Sequence, residues 1–182
     1  MMELGHGIIM QMKIAKEIIN SQELKNFNYC IKKFSSFKII GFTKIVNSGG
    51  EMYDEIMQKN EKWELLKNMN SKNKNVYGIA SMDKECPEGK YRYTMGIEKD
   101  ENYIGNKIYA NQLFPMNINE SNWVIFSLDY QNDFGRLWEN DPYKLIGEMG
   151  YCFNNAVGLH IDVFPENYDG HGMEFWMPIN EK

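Results

Sequence analysis

Gly170-His-Gly-Met-Glu-Phe-Trp-Met-Pro-Ile179 reads as a β-strand that carries an acid on one of its faces. Side chains alternate along a strand, so Met173, Phe175 and Met177 share one face while Glu174 and Trp176 share the other. The first face is ordinary core. The second sets a carboxylate two residues from an indole, a pair that is costly to bury unless something positive and flat covers it, which marks a candidate site. Pro178 suits a strand end or an edge. Just upstream, Leu159-His-Ile-Asp-Val-Phe164 alternates in the same way, with Leu159, Ile161 and Val163 on one face and His160, Asp162 and Phe164 on the other. Asn167-Tyr-Asp-Gly170 between them has turn chemistry. As a hairpin, the two strands are expected to bring Asp162 and Glu174 to a common sheet face together with Phe164 and Trp176.

The chain upstream supplies the rest of a repeated unit. Phe27–Phe34 and Phe37–Val46 are rich in β-branched and aromatic residues, and the second run predicts a strand ended by Ser48-Gly-Gly50. A helix is predicted over Glu51–Met69, with acids at its start and Trp63, Leu65 and Leu66 as helix-to-sheet core. Val76–Ser81 and Lys90–Glu98 read as two further strands. The order then recurs: a strand over Trp123–Tyr130, a helix from Pro142 to Phe153 capped by Asp141, and the two strands quoted above. The expected organisation is therefore a tandem strand-helix-strand-strand duplication of α+β class, resting on element order alone. The halves are placed at about residues 25–100 and 107–182 of one domain, 25–182. The joint is Asp100–Ser121, where Pro115 is expected to interrupt any regular strand. Residues 1–24 read as an extension carrying an amphipathic helix from about Ile8 to Leu24.

Composition narrows the function. A chain of 182 residues with 43% hydrophobic content can bury a full core, and a net charge of −5 argues against a nucleic-acid surface. Cys30, Cys86 and Cys152 are widely spaced without a Cys-x-x-Cys pair, so reduced thiols in a cytoplasmic protein are expected. No apolar run reaches membrane-spanning length, and the N-terminus lacks the pattern of a secretory signal. The 13 methionines and the 14% aromatic content suit an adaptable pocket, although cores also use Met and the core reading is favoured. His6, His160 and His171 match no metal-ligand spacing, and no phosphate loop or dinucleotide fingerprint occurs, so no metal or cofactor is expected.

Several local patterns then coincide in order: Leu24–Gly41, Tyr77-Gly-Ile79, Tyr91-Arg-Tyr93, Trp123-Val-Ile-Phe126, Ile161-Asp-Val-Phe164 and Glu174-Phe-Trp-Met-Pro178. Together they resemble the effector-binding domain of the AraC-type and GyrI-like families over about residues 24–181, and the resemblance implies an α+β fold of tandem βαββ modules related by a pseudo-twofold, with antiparallel sheets forming a groove and helices packed outside. The resemblance implies a multidrug-type ligand groove, with Glu174 as the acid facing cationic lipophilic ligands and Trp123 and Tyr93 as its aromatic lining. Asp162 stands where relatives usually carry Glu, and Leu128-Asp-Tyr130 where they tend to have a Gly-containing turn. The residues before the match are too few for the DNA-binding region of full-length transcription factors, so a stand-alone module without DNA binding is expected.

Two classes of function follow. One is a binding module for hydrophobic, often cationic small molecules, acting as a transcription-regulator-type sensor, a sequestering protein or a partner-controlled regulator, with Glu174, Trp176, Asp162, Phe164, Trp123, Tyr93, Tyr91 and His160 as ligand contacts. This leaves room for a protein partner or a homodimer. The alternative, also implied by the resemblance, is a hydrolase of strained electrophilic metabolites, with Glu174 as general base and Tyr93 as proton donor. Inhibition of DNA gyrase, known for some relatives, has no readable motif.

Overall fold

Phe37–Val46 (β2) continues the line of Asn28–Phe34 (β1) past a bend at Ser35-Ser36, and Ser121–Asp129 (β6) continues Phe114–Ile118 (β5) past Asn119-Glu120. The two long segments pair antiparallel in one register that survives the bend: Phe34 lies opposite Ser121, and Phe37 opposite Ile118. The computed structural model describes residues 27–58, 61–69, 73–82, 85–99 and 112–182. The expected helix near 8–24 lies outside them.

Between the ends of this ribbon run Val76–Ser81 (β3), Tyr91–Glu98 (β4), Leu159–Phe164 (β8) and Gly172–Glu181 (β9), giving the order β1-β6-β9-β8-β3-β4-β2-β5. Tyr151–Phe153 (β7) adds to the far end of β9. The order is a palindrome in roles: β2-β4-β3 of the first half meets β8-β9-β6 of the second across the antiparallel β3–β8 pair. Each half carries two helices after its long strand, Gly49–Gln58 (α1) and Glu61–Met69 (α2) after β2, Phe134–Glu139 (α3) and Pro142–Glu148 (α4) after β6. The described residues thus form a mixed α+β fold with a large antiparallel sheet of nine strands and four helices.

Local chemistry accounts for the boundaries. The Glu51 carboxylate accepts from the Asn47 backbone N–H at 3.1 Å and its side-chain amide at 2.9 Å, so α1 starts at Gly49, earlier than the acids alone suggest. Asp141 accepts from the N–H groups of Tyr143 and Lys144 at 3.0 and 3.3 Å, and Pro142 occupies the first turn of α4. That helix stops at Glu148 rather than Phe153, because Gly150 takes φ 90° and turns the chain into β7. Pro115 does not interrupt a strand: it lies within β5, at the sheet edge, where only one side must be paired. Gly41 and Gly96 face each other across β2 and β4, and a Cβ on Gly41 would stand 2.5 Å from the Gly96 Cα, so this strand pair approaches too closely for any side chain.

The sheet buries both faces. One packs under the helices, with Phe42, Met95, Phe126, Phe175 and Met177 meeting Ile56, Trp63 and Leu66. The other closes on itself through the bent ribbon, around Ile39, Ile79, Trp123, Ile161 and Trp176.

Candidate functional site

The pairing of β8 with β9 decides which acid meets the helices. Asp162 lies opposite Phe175, Ile161 opposite Trp176, and Val163 opposite Glu174. Residues opposite one another in an antiparallel pair project from the same face, so Asp162 and Glu174 project from opposite faces. The expected common surface is corrected: it separates into His160, Asp162 and Phe164 under the helices, and Glu174 with Trp176 on the other face. A one-residue change of register flips every side chain, and the loop 165–171 is too long for its turn residues to fix that parity.

Asp162 stands at the floor of a chamber of about 280 Å³ between the two helix pairs. Ala80, Tyr93, His160, Phe164 and Phe175 complete the floor. One wall is the N-terminus of α1 with Ser48, Gly49, Gly50 and Tyr53, and the other is Tyr130, Phe134 and Trp138. The walls are linked aromatic surfaces: Tyr53 stacks on Tyr130 at 5.9 Å, Tyr130 on Phe134 at 5.3 Å, and Trp138 packs its ring on Phe175 at 5.6 Å.

The Tyr93 hydroxyl donates to Asp162 Oδ2 at 2.5 Å. It reaches from β4 across β3 because Gly78 has no side chain there. A Cβ on Gly78 would overlap the Tyr93 hydroxyl and meet the Phe164 ring at 3.3 Å. Burial pushes the Asp162 carboxyl up to about 6, against the opposing pull of the Tyr93 hydrogen bond. Burial, and then the Asp162 charge, hold the Tyr93 phenol well above its ordinary value. Burial lowers His160 to about 4, so that imidazole is neutral at physiological pH.

The other expected contacts lie elsewhere. Trp123 is fully buried in the opposite core, and among the described residues its indole N–H meets no hydrogen-bond partner. Trp176 donates to Glu174 Oε2 at 2.8 Å and stacks on Phe34 at 4.8 Å. Glu174 and Tyr93 are therefore on opposite faces and cannot act as base and donor on one substrate. Of the expected set, the chamber brings together Asp162, Phe164, Tyr93, Tyr91 and His160. Sequence reasoning missed Tyr53, Tyr130, Phe134 and Trp138. The last three recur every four residues, a spacing visible in the sequence, with Tyr130 in the turn that leads into α3.

The family profile of the GyrI-like small molecule binding domain matches residues 27–179. The chain belongs to the GyrI-like family. Solved structures share this GyrI-like fold at low identity. SAV2435 bound to tetraphenylphosphonium superposes with a TM-score of 0.59 at 12% identity, over 84% of this chain and 94% of that one. A putative bacterial transcription regulation protein from Staphylococcus aureus MU50 gives 0.59 at 11%, over 84% and 98%. The C-terminal domain of EcmrR gives 0.53 at 11%, over 86% and 99%. At these identities the likeness is one of fold. No curated protein sequence matches. Among the described residues of this GyrI-like chain, no helix is long and apolar enough to cross a membrane.

Two opposed titrations sit side by side on β8 of the GyrI-like sheet. The folded state binds the Asp162 proton more tightly than the unfolded chain does, so this carboxyl stabilises fully below its ordinary value near 3.8 and loses that contribution as pH rises through about 6. The folded state disfavours the His160 proton, so stability from this imidazole grows as pH rises from about 4 to 6.5. The two contributions oppose each other over the same window, and Glu55, held at about 2 by Lys62 and Lys44, titrates below it. Asp162→Asn should therefore gain stability, relative to the wild type, as pH rises from 4 to 6.5, and His160→Gln should lose it. Each difference is on the order of 1–2 kcal/mol once solvent reaching the chamber is allowed for. Urea denaturation at pH 4.5 and 7 checks this, and two parallel curves would refute it.

Proposed function

We propose that this GyrI-like domain binds hydrophobic small molecules that carry a diffuse positive charge, in the chamber above Asp162. The observation that carries this is the composition of the chamber: among the described residues that line it there is one carboxyl, at the floor, there are aromatic rings on the walls, and there is no Lys or Arg. A ligand must bring the positive charge that the carboxylate lacks, and a soft, planar or aryl-clad cation meets ring faces rather than a water shell. The likeness to a fold solved with tetraphenylphosphonium bound supports the same class of ligand. A role as a sensor or sequestering module in the cytoplasm fits this reading. The hydrolase alternative loses its support, because its base and its donor are separated by the sheet.

Tetraphenylphosphonium, titrated against the fluorescence of Trp138 in the chamber wall, is the direct test. Burial raises the phenols of Tyr91, Tyr93 and Tyr130 and lowers His160 to about 4, so among these lining groups Asp162 is the one that changes charge near neutrality. From pH 5 to 7.5 its ionised fraction rises about tenfold, and affinity should rise by about the same factor. Unsaturable quenching, or an affinity that is flat with pH, would overturn the proposal.

A further inference from the structure

A second chamber, of about 520 Å³, opens beside the first and shares Ala80, Tyr91, Trp138 and His160 with it. Ala80 lies opposite His160 in the β3–β8 pair and offers only a methyl between the two spaces. The floor is therefore continuous from Asp162 past His160 into the second chamber.

Besides Ser81 and Asn155, the polar lining of that chamber holds a dyad at the wall shared with the first. His160 Nε2 lies 2.8 Å from the Tyr143 hydroxyl, and the imidazole is boxed by Trp138 at 5.9 Å, Phe153 at 5.2 Å and Phe175 at 5.6 Å. A phenol is the better donor and an unprotonated imidazole nitrogen the better acceptor, so Tyr143 donates to Nε2 and the ring proton sits on Nδ1. Among the described residues no hydrogen-bond partner meets Nδ1. The dyad thus leaves one N–H donor among the aromatic rings that box the imidazole. The lowered proton affinity of His160 agrees with a ring that works as a neutral donor rather than as a cation.

We propose that the second chamber is a subsite for a neutral, hydrogen-bond-accepting aryl ether or aryl carbonyl belonging to the same ligand whose cationic end meets Asp162. This rests on the reading of the Asp162 chamber as a cation site and adds the length and polarity of the ligand. Asp162 and His160 are two residues apart on one strand face, so charge and acceptor stand about 7 Å apart. The ligand class is then an elongated amphiphile, with a cation at one end and a weakly polar ring system at the other.

Two probes test this by calorimetry: benzyltrimethylammonium, which carries the cationic end alone, and its 4-benzyloxy derivative, which adds an ether oxygen and a second ring. The extended probe should bind the wild type about tenfold more tightly. Phe153→Ala, which removes a wall of the second chamber, should bring the ratio of the two affinities to within twofold. Tyr143→Phe, which frees Nε2 and unlocks the tautomer, should lower the ratio about threefold. The His160 Nδ1 resonance should shift with the extended probe and stay in place with the short one. If the short probe binds and the extended one gains nothing, or if Phe153→Ala leaves the ratio at tenfold, the second subsite is overturned while the cation site stands. If neither probe binds, both readings fall.

Discussion

Asp162→Asn should weaken binding of tetraphenylphosphonium at pH 7.5 by about ten- to a hundredfold, whereas Glu174→Gln should change it by less than twofold. The amide keeps the shape of the carboxylate and still accepts the Tyr93 hydrogen bond, so the substitution isolates the charge. Removing the charged partner of a bound cation costs about 1.5–3 kcal/mol, which gives this range. Glu174 is spared because it faces the other side of the sheet, where its carboxylate already accepts the Trp176 indole N–H. A neutral aromatic ligand of similar size should hold its affinity in both variants. Loss of cation binding in Glu174→Gln with full binding in Asp162→Asn would place the site on the opposite face and refute the assignment.

The contrast between these two acids shows where the sequence is informative and where it stops. Alternation in Leu159–Phe164 and Gly172–Glu181 defines two strands and correctly groups His160 with Asp162 and Phe164, and Glu174 with Trp176. Those groupings are local, set by the period of two within a strand. Which group joins which across the hairpin depends on loop parity, and Pro165 to His171 can close in either register without a change in composition. The same limit explains β7 and α3. Three residues in Tyr151–Phe153 become a strand because β9 extends past them to Glu181, and Phe134–Glu139 folds as a helix too short to show a full apolar period. The missed wall residues were readable all the same: Tyr130, Phe134 and Trp138 keep a four-residue spacing, and although only Phe134 and Trp138 lie in α3 itself, the turn before it brings Tyr130 onto the same wall. Pro115 misled because a proline in an edge strand leaves no visible trace of being at an edge.

Gly78→Ala should be the most damaging single methyl in the chamber, destabilising the fold by about 3–5 kcal/mol. Gly78 pairs with Met95 on one side and with Asp162 on the other, so it is the ground over which Tyr93 passes to reach the acid. A Cβ there would stand 2.9 Å from the Tyr93 Cζ and nearer still to its hydroxyl, while Phe164 closes the far side at 3.3 Å. The Tyr93 ring is buried and cannot yield without leaving Asp162. Overpacking of this kind costs about 1–3 kcal/mol, and loss of a buried hydrogen bond to an acid adds about 1.5–3 kcal/mol. Chemical denaturation of a double-mutant cycle separates this from a general strand effect. In a Tyr93→Ala background the added methyl has room, and alanine is no worse than glycine in a strand interior, so Gly78→Ala should then cost less than about 1 kcal/mol. A coupling of at least about 2 kcal/mol between the two positions is the expected result. Additive costs would mean that Gly78 serves the backbone alone and that the Tyr93–Asp162 contact does not depend on it.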